Sequence, residues 1–142
     1  MSKTISFAKL SGSGNDFICI DNRQGQLAHL NGNPQELAEF AKQLCRSGLG
    51  IGADGMILAQ EPEIEGVADI AAVFFESDGS TVELCGNGVA CLTRWALEQD
   101  LVAGGEIKIL TSSGVVRGRS ADGLYIRACI PIPQDIRTEL TV

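Results

Sequence analysis

Apolar positions change their period several times along this 142-residue chain, and each change marks an element. Residues 5–10 and 17–21 alternate or run apolar over strand lengths. Between them, Ser11-Gly12-Ser13-Gly14-Asn15-Asp16 has the composition of a loop. At Asn33 the period becomes helical. Asn33 can cap, Pro34 suits the first helical position, and Glu36 follows the cap by three residues. Leu37, Phe40, Ala41 and Leu44 then define one apolar face, and Gly48 is a fitting stop. This pattern predicts an amphipathic helix on the outside of the domain.

A glycine-rich stretch, 48–55, leads into a short strand at 56–60, an acidic turn at 61–66 and a further strand at 67–76. After the turn Ser77-Asp78-Gly79-Ser80, a second helix is predicted from about Gly86 to Gln99. Its Val89, Ala90, Cys91, Leu92, Trp95, Ala96 and Leu97 cover almost the whole circumference, as in a helix buried on all sides. Three strands follow at 106–111, 115–119 and 124–129, separated by Ser-Ser-Gly and Ala-Asp-Gly hairpin turns. Ile130-Pro131-Ile132-Pro133 ends the regular structure. The expected fold is α+β: a curved antiparallel-rich sheet or partial barrel around one central helix, with the amphipathic helix outside. Residues 1–130 form that domain, and 131–142 read as a linker or C-terminal tail.

Composition narrows the class. The length suits one domain with a single core, and 44% hydrophobic residues suit a folded one. The longest nearly apolar run, 67–75, is interrupted by Asp69 and is too short to cross a bilayer, so no membrane association is expected. The first nine residues lack the apolar segment of a secretory signal. A net charge of −7 repels phosphate backbones and argues against nucleic acid as a partner. A cytoplasmic location is expected. Cys19, Cys45, Cys85, Cys91 and Cys129 are odd in number, scattered and without a C-x-x-C pair, which fits no disulfide framework. His29 is the one histidine, so no metal site is expected. Small buried hydrophobes are the default reading of such thiols.

Cys85-Gly86-Asn87-Gly88 calls for another reading. A cysteine just before a helix sits where unpaired backbone N–H groups and the positive end of the helix dipole converge, an environment that favours thiolate. Glycines leave those N–H groups uncovered, so the same end could hold a carboxylate. A reactive thiol and a structural one both remain open on this pattern alone, whereas Cys91, inside the apolar helix, reads as structural. Gly50-Ile51-Gly52-Ala53-Asp54-Gly55 spells G-x-G-x-x-G, but it follows a helix and enters a strand, the reverse of a dinucleotide site. It reads as tight turns or a close approach of ligand to backbone. Asn15 and Asp16 read as turn stabilisers or as ligand contacts. One histidine makes a Ser-His-Asp triad improbable, and the lysines lie in no setting suited to a Schiff base. A thiol acting as acid and base without a cofactor remains, which is racemase chemistry.

The segments Phe7-Ala8-Lys9-Leu10, Gly14-Asn15-Asp16-Phe17, 50–55, 77–80 and Cys85-Gly86-Asn87-Gly88 occur in the order found in diaminopimelate epimerases, and the chain resembles that family over nearly its whole length. The resemblance implies a cofactor-independent two-base epimerase acting at an α-carbon in the lysine and peptidoglycan pathway. It also implies two pseudo-symmetric domains with one catalytic cysteine each. Cys85 matches the cysteine of the first domain, and Asn15, Gly86 and Asn87 match positions that bind the amino-acid head of the substrate. Glu76 stands where the family commonly has a substrate-binding asparagine, and it would repel a carboxylate but could pair with an ammonium group. Ala90 stands where arginine is usual. Only the first of the two domains is represented, so the partner expected beside the small-molecule substrate is a second domain or a second copy in a homodimer. A non-catalytic binding or subunit-interaction domain, or a racemase for another amino acid, are the alternatives.

Overall fold

The computed structural model describes residues 4–30 and 32–139; the first three residues and the tail end, 140–142, lie outside the described residues. Strand β1 (Ala8–Gly12) turns directly into β2 (Asn15–Asp21). Gly12 pairs with Asn15, so the connection is two residues long rather than the six-residue loop expected from composition. Ser13 and Gly14 both have positive φ (53° and 85°), the backbone of a tight hairpin turn, which lets polar residues on either side join the ladder. Asn15 and Asp16 are therefore strand residues.

Helix α1 (Pro34–Cys45) starts as its sequence indicates: Asn33 Oδ1 accepts from the Glu36 N–H at 3.2 Å. It stops at Cys45, three residues before Gly48, because the glycine-rich loop folds back over its last turn. The N–H groups of Gly50, Ile51, Gly52 and Ala53 donate to the carbonyls of Arg46, Leu44, Leu44 and Cys45 at 2.8–3.1 Å. Those carbonyls have no partner within the helix, and the loop supplies one. A side chain at Gly50 would overlap Gln43 O and lie 2.6 Å from Leu44 O, so this cap requires glycine there. The G-x-G-x-x-G letters are accounted for by helix capping.

Beyond the loop come β3 (Gly55–Gln60), β4 (Ile70–Glu76), the two-residue β5 (Thr81–Val82), which sequence patterning did not predict, and α2 (Gly86–Glu98). Strand β4 starts three residues later than expected: the Val67 N–H still closes the preceding turn on Ile64 O, and the Asp69 carboxylate accepts from the Lys108 N–H at 2.7 Å. Strands β6 (Glu106–Thr111), β7 (Gly114–Ala121) and β8 (Tyr125–Cys129) form the expected meander. The sheet runs β1-β2-β3-β4-β6-β7-β8, with β5 on β4. Only β2–β3 and β4–β6 are parallel, so the sheet is mixed and antiparallel-rich. It curls until both edge strands, β1 and β8, touch α2, giving a half-barrel around that helix.

Alternation along the strands decides what each face holds. Phe17, Cys19, Ile57, Ala59, Ile70, Ala72 and Phe74 point inward and pack on Val89, Cys91, Leu92, Trp95 and Ala96 of α2. Ile18, Ile20, Met56, Leu58 and Phe75 point outward and pack with Ala41 and Cys45 of α1. The domain thus has two apolar layers, one on each side of the sheet, rather than the single core expected. Helix α2 is not buried on all sides either: Ala90, Arg94 and Leu97 form a half-exposed stripe in the gap between β1 and β8. An α-helix inside an open half-barrel keeps one side toward the opening. Residues 131–139 have no regular structure and are exposed. Among the described residues, no helix is long and apolar enough to cross a membrane.

Candidate active site

The sheet collects its chemistry at one end. Strands β2 and β3 are parallel and both begin there, and antiparallel β4 ends there, so Asn15, Asp54 and Glu76 come to the same rim although they are far apart in sequence. Helix α2 also begins on this rim. Cys85 is its N-cap, half-buried, with the Gly88 N–H donating to Cys85 Sγ at 3.4 Å. Gly88 allows that placement: a Cβ there would be 2.8 Å from the Phe74 ring, and the first turn could not seat on the sheet. At Gly86, which is exposed, a Cβ would meet nothing within 4 Å, so nothing crowds that side of the first turn next to Cys85. Cys85 therefore stands at the positive end of the α2 dipole, where the N–H groups of a first turn have no carbonyl partner within the helix.

Asn87, half-buried in the first turn, donates through Nδ2 to Asn15 Oδ1 at 2.6 Å. Asn15 Nδ2 in turn donates to Asp54 Oδ2 at 3.3 Å. Asp54 and Asp16 hold each other reciprocally: Asp54 Oδ2 accepts from the Asp16 N–H at 3.0 Å, and Asp16 Oδ1 accepts from the Asp54 N–H at 2.9 Å. Lys9 Nζ closes the chain with an ion pair to Asp16 Oδ2 at 2.8 Å and a hydrogen bond to Gly52 O. Together the Lys9 ammonium and the Asp54 N–H hold the Asp16 carboxyl below its usual range.

Four of the predicted site residues, Cys85, Gly86, Asn87 and Asn15, thus form one cluster. Glu76 stands off from it. It is exposed, and its carboxylate has no hydrogen bond or ion pair among the described residues. Its place in the alternation of β4, two residues after inward-facing Phe74, puts it on the concave face with Asn15. Gly55, its cross-strand partner, puts no side chain between them. Asp54, Asp16 and Lys9 were not identified as a linked group from sequence. The contacts of Asp54 span 38 or 39 residues and leave no local signal, although the letters of the 50–55 loop contained it. Of the other thiols, burial pushes Cys91 up and raises Cys19 to about 12, and Cys45 is raised for the same reason. Cys129 is exposed on β8, against the default expectation of burial.

The half-barrel wrapped on one helix is a fold that this domain shares with solved proteins, epimerases among them. A hydroxyproline epimerase from Agrobacterium vitis, solved with trans-4-OH-L-proline bound, matches 86% of this chain and 39% of its own with a TM-score of 0.61; at 17% identity the likeness is one of fold. The family is shown by sequence: residues 7–122 match diaminopimelate epimerase, and the chain belongs to that family. The diaminopimelate epimerase of Aquifex aeolicus is 40% identical over 114 residues, which cover 80% of this chain and 40% of the relative. That of Archaeoglobus fulgidus is 30% identical over 138 residues, covering 96% and 46%. The chain spans less than half the length of these relatives.

Proposed function

We propose that this chain supplies one half of a cofactor-independent amino-acid epimerase that interconverts LL- and meso-diaminopimelate. The observation that supports it most is Cys85 at the uncovered start of α2, beside the Asn87–Asn15 pair. In this reading the two amides and the N–H of Gly86 hold the carboxylate and ammonium of the amino acid, with its α-carbon over the thiol. One thiolate takes the α-hydrogen as a proton, and the C–H electron pair moves onto the α-carbon and its carboxylate. A thiol on the opposite face then delivers its own proton, so the carbon inverts and the two sulfurs exchange protonation states. Cys85 is one of these groups. The other comes from outside the described residues, from a second domain or from Cys85 of a second copy related by a two-fold axis. Five cysteines without a disulfide suit a reducing compartment such as the cytoplasm.

The unpartnered carboxylate of Glu76 favours a second reading on the substrate alone: the same proton transfer on an amino acid with a cationic side chain. Both readings are tested by proton NMR of LL-diaminopimelate in D2O with the purified chain. Loss of the α-proton signal, abolished by Cys85→Ser, is the expected result. A folded chain that exchanges no α-proton on diaminopimelate, alone or mixed with a second half from a relative, would overturn the first reading. Exchange on lysine or ornithine instead would establish the second.

A further inference from the structure

A side-chain amide can turn over with almost no change in shape, exchanging its donor for its acceptor. A pair of hydrogen-bonded asparagines therefore has two possible polarities, and an amino-acid head group would meet different groups in each. In this structure one polarity is selected from outside the pair. Asp54 Oδ2 accepts from Asn15 Nδ2, which leaves Asn15 Oδ1 to accept from Asn87 Nδ2. An ionised carboxylate has no hydrogen to donate, so this order cannot reverse while Asp54 holds its place. Asp54 is itself fixed by the reciprocal bonds with Asp16, and Asp16 by the ion pair with Lys9. Among the described residues, what remains unbonded on the pair is one N–H of Asn15, together with one N–H and the carbonyl oxygen of Asn87. Those are two donors for a carboxylate and one acceptor for an ammonium, next to the exposed Gly86.

We propose that Asp54 is a positioning residue: the acceptor it presents to Asn15 sets the polarity of the Asn15–Asn87 pair, and so the orientation in which an α-amino acid is held over Cys85. The inference rests on the reading that the two asparagines bind the head group. It assigns to Asp54 no contact with the substrate. Its content is that an acceptor is needed at this position, so Asn at 54, which can place its oxygen where Oδ2 now lies, should substitute and Ala should not.

The test is a titration of the 142-residue chain with LL-diaminopimelate, followed by NMR of backbone and side-chain amides, for wild type, Asp54→Asn and Asp54→Ala. Asp54→Ala is expected to weaken binding about tenfold, the loss of one hydrogen bond to a charged group. Its unliganded spectrum should move the side-chain NH2 signals of Asn15 and Asn87 while the backbone signals of α2 and β4 stay in place. Asp54→Asn should restore both affinity and NH2 signals to near the wild type. Equal affinity of wild type and Asp54→Ala would overturn the inference and leave the proposed function standing. So would equal losses in the Asn and Ala variants, since charge would then be what matters. Backbone shifts throughout the domain in Asp54→Ala would assign Asp54 a structural role instead. A folded wild type that does not bind would overturn the reading of the two asparagines, and the inference with it.

Discussion

The two halves of the sheet are buried differently, and the difference is written in their residues. Strands β2 and β3 lie between two helices. Residues 17–20 and 55–59 are buried without interruption, facing α2 and α1 in turn. Among the described residues, strands β6–β8 have α2 on their concave side and no helix on the other. Ile107, Ile109 and Val116 are buried, while Lys108, Arg117, Arg119 and Arg127 alternate with inward positions and face solvent. A continuous apolar run means cover on both faces, and strict alternation means cover on one. The candidate site lies on the doubly covered half, where β2, β3 and β4 meet the start of α2. A reacting group needs a frame that does not move, and the half packed on both sides supplies it.

Substitutions at neighbouring positions should break the comparison most sharply. On β3, Ile57→Ala empties the inner layer and Leu58→Ala the outer one, and each should lower stability by about 2–5 kcal/mol in urea unfolding. On β7 only the inward residue should matter: Val116→Ala destabilises, whereas Arg117→Ala stays within about 0.5 kcal/mol. Neutral behaviour of Leu58→Ala would show that α1 does not cover the outer face. Next in size is Gly50→Ala, which pushes a methyl group into the carbonyls at the end of α1 and should destabilise by about 1–3 kcal/mol. Proteolysis opening near residues 46–54 would report the same loosening.

Alkaline titration tests the inner layer through Cys19. Its thiol is held up at about 12 against an ordinary 9.0, so the folded state keeps a proton that the unfolded chain releases. The sign follows: this contribution is fully present below pH 9 and is lost progressively as pH rises toward 12. At pH 10 the loss should be on the order of 1 kcal/mol, absent in Cys19→Ala. The smallest effect sharpens the outer layer. Asn33→Ala removes the cap of α1 and should lower stability by about 1 kcal/mol, leaving the rim with Cys85 unchanged.

Period and capping letters placed both helices and most strands, because those signals are local. The Asn33-Pro34 start and the Cys85-Gly86 start both lie where the chemistry of their residues puts them. What sequence reading missed is set at a distance. The two-residue Ser13–Gly14 turn was hidden by polar strand residues whose ladder partners lie across the hairpin. The exposed stripe of α2 depends on the sheet not closing, which an apolar helix cannot reveal. At the site, Cys85 and Asn87 stood out because glycines surround them at a helix start. Asp54 did not, because its role depends on Asn15, 39 residues earlier in the chain.

The central claim is that the uncovered start of the central helix presents the reacting thiol. Iodoacetamide labelling of the folded chain at neutral pH, read cysteine by cysteine by mass spectrometry with and without LL-diaminopimelate, tests it most directly. Cys85 and exposed Cys129 should label while Cys19, Cys45 and Cys91 are spared, and diaminopimelate should slow Cys85 several-fold and leave Cys129 unchanged. Labelling of Cys85 that is indifferent to the amino acid, or slowed no more than that of Cys129, would contradict the claim.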